Sequence, residues 1–272
     1  MEISNYIQRP MPEVVFHYTS SQGLLGIADS GSLWATNIHY LNDSKELNHA
    51  FDVFRNELLG RKDKNPLHGL LINSFDNIRH MKLFVCSFTE EGDLLSQWRG
   101  YCPEGAGISL GFEFSKIKDS ALKQGYTIGP CIYEESEKRR ITRIVIDDLM
   151  PVLSSMVGKY PENHIRGYFY ERIVKIVPFM KHSSFKEEKE WRCSLSPSAD
   201  SSKQIKYRVG RSIITPYHEF DLKSNGRFSI KGVIIGPCEQ KRLQINSVMD
   251  VLSARGIEWG QSSYSSTPYR AW

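Results

Sequence analysis

The chain lacks most of the marks that identify a chemistry at sight. Its five cysteines (Cys86, Cys102, Cys131, Cys193 and Cys238) are odd in number, widely spaced and contain no C-x-x-C pair. Neither a disulfide framework nor a zinc site fits that pattern, and the mostly apolar surroundings predict reduced, buried thiols. No apolar run approaches membrane-spanning length, and residues 1–12 have no leader-like apolar core, so a cytoplasmic protein is expected. The loops G-x-x-x-x-G-K-[ST] and G-x-G-x-x-G are missing, as are H-E-x-x-H and G-x-S-x-G. Their absence removes the sequence support for P-loop, Rossmann, zincin and α/β-hydrolase chemistry. One-sided charge is lacking too. Thirty-five basic residues against 31 acidic leave a net charge of +4, which permits a phosphate-bearing ligand without arguing for one.

What is present is ordinary globular material. At 272 residues, 40% hydrophobic and 24% charged, the chain can bury a full core. No repeat or linker-like shift divides it, so a single domain over 1–272 is expected, with a core at 12–133 and 176–238, a helical insertion at about 134–175, and a C-terminal helix and tail at 239–272. Strand signals fall at 14–20, 32–37, 83–88, 106–114, 127–133, 177–180, 190–195, 206–214 and 231–235. Helical spacing falls at 22–28, 46–59, 94–101 and 240–255, with two more helices between 134 and 175 broken at Pro161. A second helix is expected within 61–77, and the residues beyond 255 read as a polar tail. Ser20 or Ser21 is placed to cap the first helix, with Gly31 just past its end. Asp43 followed by Glu46 resembles a capping box. Strands and helices mix without regular alternation, which favours an α+β fold over a doubly wound sheet.

Three clusters could carry chemistry. The first is His17-Tyr18-Thr19, at the mouth of the first strand. The second is Ser87, with the short helix that bears Ser96, Trp98, Arg99 and Tyr101. The third is Glu188-Lys189-Glu190-Trp191-Arg192, where two carboxylates two apart would share one strand face. Such a pair repels unless something cationic or hydroxyl-bearing sits between its members, and pairs of this kind often mark perturbed sites.

Taken in order, these clusters resemble the ADP-ribosyltransferase superfamily. His17-Tyr18-Thr19 is similar to its H-G-T opening, with Tyr18 in place of glycine. Trp98-Arg99-Gly100-Tyr101 looks like the helix that brings a stacking tyrosine, and Glu190-Trp191-Arg192 like the strand that carries the superfamily's glutamate. Glu188 and Glu190 have the spacing of the E-x-E pair in its arginine-modifying branch. The whole chain resembles more closely a bacterial family known only as a domain of unknown function, through H-Y-T-S at 17–20, L-N-D-x-x-E at 41–46, S-x-W-x-x-Y at 96–101 and E-x-E-x-R at 188–192.

The resemblance implies a split, twisted, mainly antiparallel sheet and an enzyme that consumes NAD as substrate. That enzyme would transfer ADP-ribose to an acceptor not named by the sequence, or to water, as a bacterial toxin or antiphage effector would. No metal and no membrane are implied. Glu190 would stabilise the oxocarbenium-like ribose, with Glu188 as base or acceptor guide and His17 on a ribose hydroxyl. Tyr18 and Thr19 would complete the first corner, Trp98 and Tyr101 would stack on the pyridinium, and Arg99 or Arg192 would meet the pyrophosphate. Ser87 and Tyr101 both remain open as the middle member of a triad. Plainer roles stand beside these. A strand-end histidine often only packs, Trp98 and Tyr101 at i, i+3 suit a core face, and the charges at 186–192 suit a guarded edge strand. Glu46 and His49 at i, i+3 lack the second pair that a metal site needs, and the basic residues 138–143 suit a salt-bridged helix face. A catalytically silent nucleotide- or nucleic-acid-binding module is the alternative function, and a partner-binding protein a third.

Overall fold

The computed structural model describes residues 3, 6–7, 9–41, 44–61, 65–75, 82–102, 107–197, 204–210, 213–223 and 226–268, with the backbone alone of 44–46 and 74. The first elements are strand β1 (Val14–Ser20), helix α1 (Ser21–Ser30) and strand β2 (Ser32–Asn37). Ser20 caps α1 by accepting from Gly23 N, and Gly31 ends it in the left-handed region at φ 68°, where a side chain is strained. Helices α2 (Ser44–Leu59) and α3 (Pro66–Ile72) follow, then β3 (Phe84–Thr89), α4 (Leu95–Tyr101) and β4 (Gly107–Glu113). Asn42 and Asp43 lie outside the described residues, as does the side chain of Glu46. The chain continues through α5 (Phe114–Lys123), β5 (Thr127–Pro130), α6 (Glu135–Met156), α7 (Glu162–Ile173) and β6 (Glu190–Leu195). It closes with β7 (Lys206–Val209), β8 (Ile214–Asp221), β9 (Ser229–Ile235), α8 (Lys241–Ala254) and β10 (Glu258–Tyr264).

The strands form one mostly antiparallel sheet in the order β10-β9-β4-β1-β3-β2-β8-β7, with β6 also paired to β3 and β5 to β6. Helices cover both faces. Leu24 and Ile27 of α1, Ile117 and Ala121 of α5, and Val248 and Leu252 of α8 pack with Val15, Cys86, Phe88, Leu110 and Trp191 on one face. On the other, α2, α3, α6 and α7 build a second apolar cluster that reaches the sheet at Val85.

One irregularity positions everything that follows. A single edge of β3 serves two strands: β2 pairs with it at Thr36–Val85 and Asn37–Phe84, and β1 only at Phe16–Thr89. Between these contacts the sheet forks. The other edge of β3 is paired along its whole length to β6, from Phe84–Leu195 to Thr89–Glu190. Alternation then sends Trp191, Cys193 and Leu195 to the first apolar cluster, while Glu190 and Arg192 face the opposite side.

Several expectations need correction. Residues 177–180 are not a strand: Val177–Phe179 is a 3-10 turn, and only a parallel bridge between Ile132 and Met180 remains, because Pro178 has no N–H to give a ladder. The strand expected at 206–214 is a hairpin of β7 and the start of β8. The polar tail contains β10, which runs parallel to β9 and is an exposed edge strand without apolar alternation. Helix α5 was not foreseen, although Phe114, Ile117 and Ala121 are buried at helical spacing. Glu188 and Glu190 do not share a strand. Glu188 ends a 3-10 turn, Ser183–Glu188, and Lys189 turns the chain through the left-handed region at φ 43° before β6 begins.

The five cysteines are free, and four of them are buried. Most of the basic run on α6 is ion-paired, though not all on the surface: Lys138 is fully buried against Glu135, while Arg140 pairs with Glu137 and Arg143 with Glu57. None of the described helices is long and apolar enough to cross a membrane.

Candidate functional site

The fork opens a small cleft lined by Phe16, His17, Tyr18, Ser87, Phe88, Thr89, Gln97, Tyr101, Glu188 and Glu190, enclosing about 60 Å³. His17 is brought there by β1. Its Nδ1 lies 3.0 Å from the main-chain oxygen of Ser87, which lies within the stretch of β3 between its contacts with β2 and β1. A carbonyl only accepts, so Nδ1 carries the proton and Nε2 is left as an acceptor. Burial pushes the imidazole pKa below its ordinary value, outweighing the carbonyl contact that favours the charged form. His17 is therefore neutral, with a defined tautomer.

Helix α4 forms the wall opposite. Tyr18 holds its start by donating from the phenol to Glu91 O and accepting from Leu94 N, at 2.9 and 2.8 Å. Asp93 accepts from Trp98 Nε1 at 2.7 Å and from Ser265, Ser266 and Thr267 of the C-terminal segment. Gly107 of β4 lies so close to α4 that a Cβ there would sit 2.2 Å from Cys102 Sγ, so only glycine admits this approach. The wall presents Gln97 and Tyr101, one helical turn apart, to the cleft. Tyr101 is 51% exposed and Gln97 only 6%.

The floor is ionic. Lys181 Nζ donates to Glu188 Oε2 and to Glu190 Oε2, each at 2.7 Å. Arg192 donates from Nε to Glu190 Oε1 at 2.7 Å, from Nη2 to Glu190 Oε2 at 3.1 Å, and from Nη1 to Pro178 O at 2.6 Å. Burial alone would raise the Glu190 carboxyl, but the Arg192 and Lys181 charges override it and hold the pKa at about 2. Burial likewise works against charge on Lys181, and Glu190 overrides it, keeping the ammonium above the ordinary lysine range. Among the described residues, two acidic and two basic side chains thus meet in one cluster, with Glu190 and Lys181 both held in their charged forms. Thr89 Oγ1 donates to Glu188 O, and Glu190 N donates to the Tyr133 hydroxyl, fixing both carboxylates from behind.

Six of the residues singled out in the sequence therefore share one cleft: His17, Tyr18, Ser87, Tyr101, Glu188 and Glu190. Four do not line it. Thr19 and Trp98 are buried beside it, with Trp98 at 1% exposure and its ring 4.6 Å from that of Tyr18 in an edge-on pair. Arg192 lies behind Glu190, and Arg99 is on the outer side of α4. His49 meets Glu135 at 3.1 Å. Sequence reasoning missed Gln97 and Lys181. The i, i+4 spacing to Tyr101 was a signal for Gln97. For Lys181 the only hint was that the paired carboxylates require a cation.

The comparisons with known proteins can be set beside this geometry. Residues 97–193 match the family described as protein of unknown function (DUF2971). That DUF2971-like span runs from Gln97 to Cys193, so it carries α4, Lys181, Glu188, Glu190 and Arg192, while His17 and Ser87 lie before it. No curated protein and no solved structure matches the chain.

Proposed function

We propose that the protein is an NAD-cleaving enzyme of the ADP-ribosyltransferase type. The observation that carries the reading is the fork in the sheet, which gathers His17, Ser87, Tyr101, Glu188 and Glu190 around one cleft. In this reaction the bond between the nicotinamide nitrogen and ribose C1′ breaks, and its electron pair leaves with the base. The ribose gains oxocarbenium character, as in glycoside hydrolysis. The nucleophilic atom of the acceptor, or water, attacks C1′ and gives up its proton. Glu190, ionised down to a pH of about 2, supplies fixed negative charge beside the developing cation. Glu188, at the cleft margin, is the candidate guide and base for the nucleophile. His17 Nε2 offers an acceptor for a ribose hydroxyl, and Tyr101 a face for the pyridinium.

The cleft as it stands is small. About 60 Å³ corresponds to roughly two water molecules, so the cleft must widen before a whole pyridinium ring is enclosed. The deciding measurement is nicotinamide release from NAD by the wild type and by Glu190→Gln. Release that depends on Glu190 supports the reading; release unaffected by the substitution removes Glu190 from the mechanism.

A second reading, a silent nucleotide-binding module, is favoured by one observation: both Glu190 oxygens are already engaged by Arg192 and Lys181. Saturable NAD binding without base release supports that alternative.

A further inference from the structure

Gln97 is a cleft residue whose polar atoms are uncommitted. It is 6% exposed and its amide makes no hydrogen bond among the described residues, yet neither amide atom is sealed from the cleft. Its donors and acceptor are therefore uncommitted to the protein and open to the cleft, where a bound ligand can meet them. The side chain offers two N–H donors and a carbonyl acceptor on one planar fork.

The surroundings narrow what that ligand is. His17 presents Nε2 as an acceptor and Ser87 a hydroxyl, above a floor in which Lys181 and Arg192 already hold Glu190. The cleft's volume of about 60 Å³ is roughly that of two water molecules, on the scale of a carboxamide substituent. A carboxamide also matches the Gln97 fork: its carbonyl accepts from Nε2 while its own N–H donates to Oε1. A carboxylate in the same slot sets oxygen against oxygen.

The geometry points to Gln97 as the specificity-determining residue of the cleft, a reader of a planar carboxamide on the substrate's base. This inference rests on the NAD-cleaving reading for its substrate and adds a selection rule to it: bases bearing an amide are accepted and those bearing a carboxylate refused. Catalysis itself stays with the ionic floor.

Ligand-observed NMR titration of the full chain with nicotinamide, nicotinate, 3-acetylpyridine and adenosine tests the rule, alongside base release from NAD. The wild type binds nicotinamide at least about tenfold more tightly than nicotinate, the equivalent of one good hydrogen bond, with 3-acetylpyridine between them. In Gln97→Met, which keeps the volume and removes both partners, the preference shrinks to within about threefold. In Gln97→Glu, which keeps the size but loses the N–H donors, nicotinamide binding falls about tenfold. Circular dichroism melting establishes that each variant is folded, and the wild-type preference stands as a test if either is not. Equal binding of amide and acid, a preference that survives Gln97→Met, tighter binding of adenosine, or no binding at all overturns the inference. Amide-selective binding without nicotinamide release from NAD keeps the Gln97 assignment and sinks the enzymatic reading. Release from NAD without amide selectivity does the reverse.

Discussion

His17 bridges the fork in the sheet: its Nδ1 donates to the main-chain oxygen of Ser87 at 3.0 Å, although the two residues are 70 positions apart. The bond gives that carbonyl a partner within the stretch where the pairing of β3 passes from β2 to β1. His17→Ala leaves it poorly satisfied, and stability in urea falls by roughly 1–3 kcal/mol, the usual cost of a stranded buried acceptor. His17→Gln keeps a donor and recovers part of the loss. On the proposed NAD-cleaving reading, nicotinamide release is expected to be lost in the alanine variant and not restored by glutamine, since the imidazole acceptor is gone in both. Recovery of release together with stability in His17→Gln would confine His17 to a structural role.

Lys181 is the second joint. It is 2% exposed and bridges Glu188 and Glu190 at 2.7 Å each. Removing one member of a buried ionic cluster leaves an uncompensated charge and costs roughly 3–5 kcal/mol. Lys181→Met is therefore strongly destabilised, while the double variant Lys181→Met with Glu190→Gln is more stable than Lys181→Met alone. Denaturant midpoints of the four proteins give the coupling. Additive losses would show that Lys181 and Glu190 are not energetically joined.

Much of this architecture was legible in the residues. The apolar runs around Val14–Ser20 and Leu83–Phe88, and the cap pair Ser20 and Gly31, write their structure in local chemistry. The ordered motifs pointed to residues that do converge, His17 with Tyr101 and with Glu188 and Glu190. The remainder depended on tertiary pairing. Strand β10 is polar along its length because only its backbone is paired, to β9. Trp98 and Tyr101 differ by a rotation that spacing alone does not fix: one fills the core beside Tyr18 and the other faces the cleft. The paired carboxylates called for a cation, but Lys181 could not be named because its meaning comes from Glu190, nine positions away across an irregular turn.

Acid unfolding has a definite sign and window. The Glu190 carboxyl is depressed from 4.5 to about 2 by Arg192 and Lys181, against its burial, and Asp93 from 3.8 to about 2 by the Ser265, Trp98 and Ser266 hydrogen bonds, also against burial. A depressed folded pKa adds stability that is complete above the unfolded value and is lost as pH falls toward the folded one. Stability in urea is thus expected to drop between about pH 4.5 and 2, with Glu190 accounting for roughly 3 kcal/mol of it. His17, lowered by burial, adds a shallower loss that begins as pH falls below 6.5. Stability unchanged from pH 5 to 3 would contradict the ionised floor.

Asp93 joins the cleft wall to the end of the chain. It accepts from Trp98 of α4 and from Ser265, Ser266 and Thr267, so a single carboxylate holds the segment after β10 against the start of the helix that bears Gln97 and Tyr101. Asp93→Ala removes all of these acceptors at once and strands the buried Trp98 N–H. A loss of about 2 kcal/mol is expected, discounted for the partial exposure of the site. The physical consequence is local before it is global: with the clamp gone, residues 265–268 detach first and α4 loses one anchor while keeping Tyr18. Limited proteolysis should cut the variant after β10 under conditions that leave the wild type whole, and the summed emission of the five tryptophans should shift to the red. A global melt without earlier cleavage at that segment would show that Asp93 acts on the core as a whole and not as a clamp.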